Sequence, residues 1–145
     1  MRFTHAAATA TATAIAVALA TLAASGCGGI KAPDLFILTR TGAGPHARLT
    51  LLINEEGVVH CNGTIVGKLS DPQIVKARAI TEDLEKPASE HLSLPPAPNS
   101  VLSYHLRDAK GTVTFADNSP RQPAVLRQLT LLVLQTAQQV CHLPE

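Results

Sequence analysis

The sequence predicts an α+β domain: an antiparallel sheet of about five strands with two helices packed on one face. Three observations lead to this class. Short segments alternate between apolar and polar residues, a period typical of half-buried strands. Four-residue turns that end in glycine connect two pairs of these segments as hairpins. Two longer segments repeat apolar residues at the spacing of a helix that buries one face.

The predicted strands are short and follow one another closely along the chain. They cover residues 35–41, 48–54, 58–61, 101–107 and 112–116, and residues 64–66 are expected to extend the sheet briefly. In the second of them, Leu49, Leu51 and Ile53 share one face, as a strand with one buried side requires. Turns that close at Gly57 and Gly111 predict the two hairpins.

Both predicted helices begin at a Ser that is followed by Pro and, three residues after the Ser, by Gln. This is a capping-box pattern, and Pro is tolerated in the first turn because its missing N–H has no partner there. Ser70 and Gln73 open the first helix, which Pro87 ends, and Ser119 and Gln122 open the second. The recurring residues are Ile74, Ala77, Ile80 and Leu84 in the first helix, and Val125, Leu126, Leu129, Leu132, Val133, Thr136 and Val140 in the second.

The two halves of the chain show the same order of elements. Each contains a hairpin whose turn ends in glycine and then a Ser-capped helix, which suggests a possible ββα–ββα pseudo-repeat after the strand at 35–41. Side-chain identity between the halves is low. Duplication and convergence on common hairpin and capping sequences therefore both remain open.

The first residues form a targeting segment that ends at a cysteine. Arg2 supplies a positive charge, residues 6–22 are an apolar run, and small residues at 24–26 precede Cys27. The arrangement resembles the lipobox of bacterial lipoproteins. The resemblance implies that Cys27 receives a diacylglycerol and that the signal peptide, residues 1–26, is removed. An ordinary cleaved signal peptide and an uncleaved membrane-spanning helix are the alternatives, because the run approaches the ~20 residues that span a bilayer.

The Ala/Thr-rich signal is similar to that of small uncharacterised lipoproteins of high-GC Gram-positive bacteria, and the mature part is similar to them as well. The segments that carry this second likeness are 33–36 and 111–115. The resemblance implies a protein anchored in the cell membrane by its lipid and exposed on the extracytoplasmic face. Residues 27–33 would then be a lipidated tether, and residues 34–145 a single α+β domain.

Two cysteines remain once Cys27 is lipidated. Disulfides form and persist outside the cytoplasm, so we expect Cys61 and Cys141 to be joined. The bond would fasten the last helix to the sheet. By the chain-entropy estimate, closing a loop of about 80 residues stabilises the folded state by roughly 4 kcal/mol. Two free buried thiols are the alternative.

Composition and motifs exclude several classes of function. Without residues 1–26 the chain has 11 basic residues, since Arg2 is the only one lost from 12, against 11 acidic ones, so it lacks the positive excess of nucleic-acid-binding proteins. The Gly42–Gly44 sequence lacks the Lys and Ser/Thr of a phosphate-binding loop, and no cofactor is expected. His60 and His142 stand beside the two cysteines as a possible zinc set. Strand geometry and oxidation argue against it, so no metal is expected.

The sequence contains no clear catalytic motif, and we therefore expect a binding or interaction module rather than an enzyme. Its partners would be the membrane, through the lipid on Cys27, and an envelope protein or the cell wall. An exposed sheet face or edge beside the Pro-rich loop Ala88–Ser100 would provide the contact surface. The alternatives are a small envelope hydrolase that uses Ser103 and His105, which share one face of a predicted strand, and a purely structural role.

Overall fold

The computed structural model describes residues 33–144, which belong to one compact unit. The elements are β1 (Asp34–Gly42), β2 (Leu49–Asn54), β3 (Val58–Cys61), β4 (Thr64–Lys68), α1 (Asp71–Ser89), β5 (Leu102–Arg107), β6 (Thr112–Ala116) and α2 (Ala124–Gln139). The strands form one sheet in the order β4-β3-β2-β1-β5-β6, and every neighbouring pair is antiparallel. The predicted targeting segment and Cys27 lie outside the described residues.

The α+β class is confirmed, with six strands where about five were expected. The additional strand is β4, because the segment predicted to extend the sheet briefly pairs with β3 over most of its length. Its residues Ile65 and Val66 are both exposed, so the strand lacks the alternation of buried and exposed residues by which a strand is predicted from sequence. Among residues 33–144, no helix is both long enough and apolar enough to cross a membrane.

The central strand β1 shows how the alternation divides the sheet into a buried and an open face. Phe36, Leu38 and Arg40 point toward the helices and are buried, whereas Ile37 and Thr39 lie half-buried on the other face. The buried cluster joins these strand residues to Ile80 and Leu84 of α1 and to Leu126, Leu129 and Leu132 of α2. Both helices therefore cover the same side of the sheet, as predicted.

Helix α1 begins as the sequence predicts and ends later. The side-chain oxygen of Gln73 accepts hydrogen bonds from the backbone N–H and the hydroxyl of Ser70, at 3.0 and 2.9 Å. The helix passes through Pro87 and ends at Ser89, so the predicted stop at Pro87 is wrong. A proline in the last turn removes one helical hydrogen bond without blocking the few residues that follow.

Helix α2 begins without the predicted Ser cap. Its N-cap is Pro123, and Ser119 lies five residues before the first helical residue. The hydroxyl of Ser119 is buried, accepts the N–H of Ala116 at 2.8 Å and donates to the carbonyl of Leu94 at 3.3 Å. Ser119 thus closes the turn after β6. The order ββα does occur twice along the chain, but β4 interrupts the first copy and the helix starts differ.

The Pro-rich loop after α1 pairs with one edge of the sheet. The N–H of Leu94 donates to the carbonyl of Thr114 and the N–H of Thr114 donates to the carbonyl of Leu92, both at 2.9 Å. These bonds occupy the outer side of β6, the last strand of the sheet. Strand β4 forms the opposite edge of the sheet.

The disulfide between Cys61 and Cys141 is present. Cys61 is the last residue of β3 and Cys141 follows α2, and their Cα atoms are 5.9 Å apart. The bond fastens the chain after the last helix to the sheet, as the sequence predicted.

Candidate ligand pocket

A pocket of about 280 Å³ opens at the end of the sheet where β1 finishes. Its walls come from five places: Arg40 near the end of β1, the loop 43–47, residues 101–102 at the start of β5, the C-terminal half of α2 and residues 143–144. The lining is mainly apolar, with few polar groups, which is the usual character of small-molecule sites.

Arg40 brings a charged side chain to this pocket. The alternation of β1 turns it inward after Phe36 and Leu38, and it is only 7% exposed. Its Nε donates to the carbonyl of Ala47 at 3.1 Å and its Nη2 donates to the carbonyl of His46 at 2.9 Å. Among residues 33–144, no carboxylate forms an ion pair with it. Because a guanidinium does not lose its proton in proteins, the pocket contains a buried positive charge.

Apolar side chains from α2 and β5 complete the walls. Ala137 lines the pocket and is only 2% exposed, whereas Leu134 and Val101 are 45% and 55% exposed. Leu134 and Val101 therefore present apolar surface at the mouth of the pocket. The combination of an apolar mouth and a charged interior could hold a small molecule that has both kinds of surface.

Glycine at position 42 lets β5 approach the end of β1. A Cβ atom at Gly42 would collide with the carbonyl oxygen of Val101 and would crowd the side chain of Leu102. Beyond it, Gly44 adopts a φ of +119°, a conformation that L side chains rarely adopt. The Gly-rich sequence is therefore a turn, as predicted, and it also shapes one wall of the pocket.

The carboxylate of Asp117 holds the mouth of the pocket in place. It accepts the hydroxyl of Ser100 at 2.8 Å and the N–H groups of Val101 and Leu102, both at 3.2 Å. Burial opposes ionisation of this carboxyl group. The hydrogen bonds from these three residues and from Asn118 outweigh that effect and lower the pKa of Asp117.

Tyr104 lies opposite Arg40 in the pairing of β1 with β5 and stacks on Phe115, with ring centroids 4.9 Å apart. Burial raises the pKa of Tyr104, and Asp117 raises it further, although the charge of Arg40 opposes both. The phenol is therefore neutral at physiological pH, and the positive charge of Arg40 is not neutralised from this side.

The disulfide positions the last wall of the pocket. After Cys141 the chain turns back, and the N–H of Leu143 donates to the carbonyl of Ala137 at 2.9 Å. Leu143 and Pro144 then line the pocket. The bond to Cys61 therefore fixes the segment that contributes these two residues.

The residues weighed for catalysis and metal binding lie elsewhere. Ser103 and His105 are exposed on the open face of the sheet, away from the pocket, and no hydrogen bond joins them. Cys61 and Cys141, the neighbours of His60 and His142, are joined in the disulfide and have no free thiol to bind a metal. Within residues 33–144, no three His, Cys, Asp or Glu side chains are grouped as metal ligands would be.

Sequence reasoning did not single out Arg40, although one signal was available. Along β1, Phe36, Leu38 and Arg40 occupy three successive positions that point inward, and Arg40 is the third. An arginine in the register of a buried apolar face is uncommon unless it is paired. The rest of the pocket gives no local signal, because its walls come from segments that are distant in sequence.

The chain matches no protein-family model, and comparisons with curated proteins and with solved structures also gave no match. The pocket and the N-terminal targeting pattern are therefore the observations from which function can be argued.

Proposed function

We propose that this protein is a lipid-anchored lipoprotein of the bacterial envelope whose domain binds a small, mainly apolar molecule in the Arg40 pocket. The lipobox-like sequence that ends at Cys27 supports the anchor and the extracytoplasmic location. One observation carries the binding function: the apolar pocket of about 280 Å³ with exposed Leu134 and Val101 at its mouth.

The size of the pocket limits the ligand. A closed apolar cavity of about 150 Å³ holds one benzene molecule, so a pocket of this volume suits a ligand of roughly ten non-hydrogen atoms. This is the lower end of the range for small-molecule sites. A full-length lipid chain or a folded protein segment would not fit inside, although either could contact the mouth.

Within the described domain, the pocket lies at the end of β1 that is farther from Pro33. Pro33 precedes β1, whereas the pocket lies where β1 ends. A strand of this length spans roughly 27 Å at the usual rise per residue. The pocket is therefore separated from Pro33 by the length of β1.

Photo-crosslinking tests the binding function directly. The full chain in lipid nanodiscs would be irradiated with a diazirine derivative of octanol, a neutral apolar probe, and the modified residues would be mapped by mass spectrometry. We expect modification at the pocket, above all at Leu134 and Val101. Modification concentrated on the open sheet face or on β4 would contradict the proposal.

Helix α2 offers a matched pair of variants for the same experiment. Leu134→Trp places a large ring at the mouth of the pocket, whereas Leu131→Trp makes the same change one turn earlier, outside the pocket lining. The two leucines are 45% and 46% exposed, so the variants differ little in their effect on folding. We expect only Leu134→Trp to reduce crosslinking.

The intact mass of the protein from its native membrane tests the anchor. A chain that begins at Cys27 with a diacylglyceryl increment, and that gains about two daltons on reduction, supports the lipoprotein proposal and the disulfide. An unmodified chain with another first residue contradicts the anchor and leaves the pocket proposal to the crosslinking experiment.

A further inference from the structure

We infer that the ligand of the pocket carries one carboxylate group and that Arg40 binds this group. The inference rests on the proposed binding function and specifies the chemistry of the ligand. A short aliphatic monocarboxylate of about ten non-hydrogen atoms satisfies both the charge and the volume of the site.

The charge of Arg40 is the first argument. Among residues 33–144, no other Lys or Arg lines the pocket, and Arg40 itself is 7% exposed. Burial of an ionised group is costly unless it is paired and hydrogen-bonded. Carbonyl oxygens of His46 and Ala47 satisfy two of its N–H groups but carry no full negative charge. An anion in the pocket would complete the neutralisation.

The geometry of the guanidinium is the second argument. The two carbonyl bonds use Nε and Nη2, which form one edge of the planar group. Neither of them uses Nη1. The edge formed by Nη1 and the second N–H of Nη2 matches the two oxygens of a carboxylate, which can accept two parallel hydrogen bonds.

The single charge selects a monoanion. A phosphate monoester carries nearly two negative charges at neutral pH, and the described part of the pocket offers one cationic side chain. The apolar walls formed by Leu134, Ala137 and Leu143 exclude strongly hydrated groups and receive the aliphatic part of the ligand.

Matched ligands of one chain length test this inference on the unaltered protein. Octanoate, octanol and octylamine would be titrated calorimetrically into the full chain in lipid nanodiscs, with empty nanodiscs as the blank. Charge-assisted hydrogen bonds in a buried site predict that octanoate binds at least about tenfold more tightly than octanol. Octylamine should bind more weakly than either.

Variants of two arginines locate the source of the preference. Arg40→Met keeps an unbranched side chain in the pocket without the charge, and it should abolish the preference for octanoate over octanol. Arg48→Met changes the net charge equally at an exposed position outside the pocket lining and should retain the preference. Retention of the preference in Arg40→Met would overturn the inference.

The outcomes separate this inference from the proposed function. Equal affinity for octanoate and octanol overturns the role of Arg40 and supports an apolar pocket. Absence of binding for all three compounds overturns both proposals. The comparison of ligands uses the unaltered chain, so it decides the question even if Arg40→Met disturbs the loop 43–47.

Discussion

Removal of the Cys61–Cys141 bond should destabilise the whole domain and open one wall of the pocket. The bond joins residues separated by 80 positions and connects the end of β3 to the segment after α2. The double variant Cys61→Ala/Cys141→Ala removes it without leaving a reactive thiol.

The magnitude follows from the length of the closed loop. For a separation of 80 residues, the chain-entropy relation gives about 4.5 kcal/mol of stabilisation through restriction of the unfolded chain. Measured values are often smaller, so we expect the free energy of unfolding to fall by about 3–4.5 kcal/mol. This is a large fraction of the 5–15 kcal/mol that is typical of a domain.

Urea titration of the oxidised protein, the reduced protein and the double variant measures this loss. Reduction and substitution should give the same value, because both remove the same bond. Hydrogen exchange should show additional opening at Leu143, whose N–H donates to Ala137. A loss below about 1 kcal/mol, or a Leu143 amide as protected as before, would refute this reasoning.

Three further substitutions test individual contacts. Asp117→Ala should lower the free energy of unfolding by about 1 kcal/mol, an estimate reduced for the exposure of this residue. Because the folded state lowers the pKa of Asp117, its stabilising contribution should be present above the unfolded pKa and lost as the pH falls through the folded pKa. Gly42→Ala should cost about 1–3 kcal/mol, since the new methyl group collides with the Val101 carbonyl. Ser119→Ala should cost about 1–3 kcal/mol by leaving the buried Ala116 N–H without its acceptor.

Gly42→Ala and Ser119→Ala each have a control substitution. Gly67→Ala would only bring a methyl group to 3.4 Å from Val140 and should cost little by comparison. Ser70→Ala removes an N-terminal cap and should cost about 1 kcal/mol, mainly as fraying of α1 in hydrogen exchange. If Ser119→Ala frays α2 in the same way, our account of Ser119 as a turn residue is wrong. A stability of Asp117→Ala that falls with acid as steeply as that of the parent would contradict its assigned role.

The periodic parts of the fold were predictable because local patterning decides them. Leu49, Leu51 and Ile53 alternate because one face of β2 meets the core, and the capping sequence at Ser70 marks the start of α1 correctly. The predicted start of the second helix was wrong because a Ser before a helix can either cap that helix or bond to a nearby turn. Ser119 carries the same sequence signal as Ser70, but a buried N–H at Ala116 lies within its reach, and that contact prevails.

The pocket was not predictable in the same way. Its lining joins residues near position 40, position 101 and position 137, and only the sheet order places them side by side. Arg40 gave a weak signal through its inward register in β1. No sequence feature shows that the carbonyls of the loop 43–47 would turn toward its guanidinium.

The amino-acid sequence alone predicts the α+β class and most element positions, because hydrophobic period and turn chemistry act locally. The pairing of Cys61 with Cys141 follows from the sequence only with the lipobox resemblance, which implies that the third cysteine, Cys27, is lipidated. Tertiary packing decided that β1 became the central strand, that the loop after α1 sealed the edge of β6, and that a charged side chain closed an apolar pocket. The reason is physical. Local patterns state which face of a segment avoids water, whereas the order in which strands pair determines which distant side chains share that buried space.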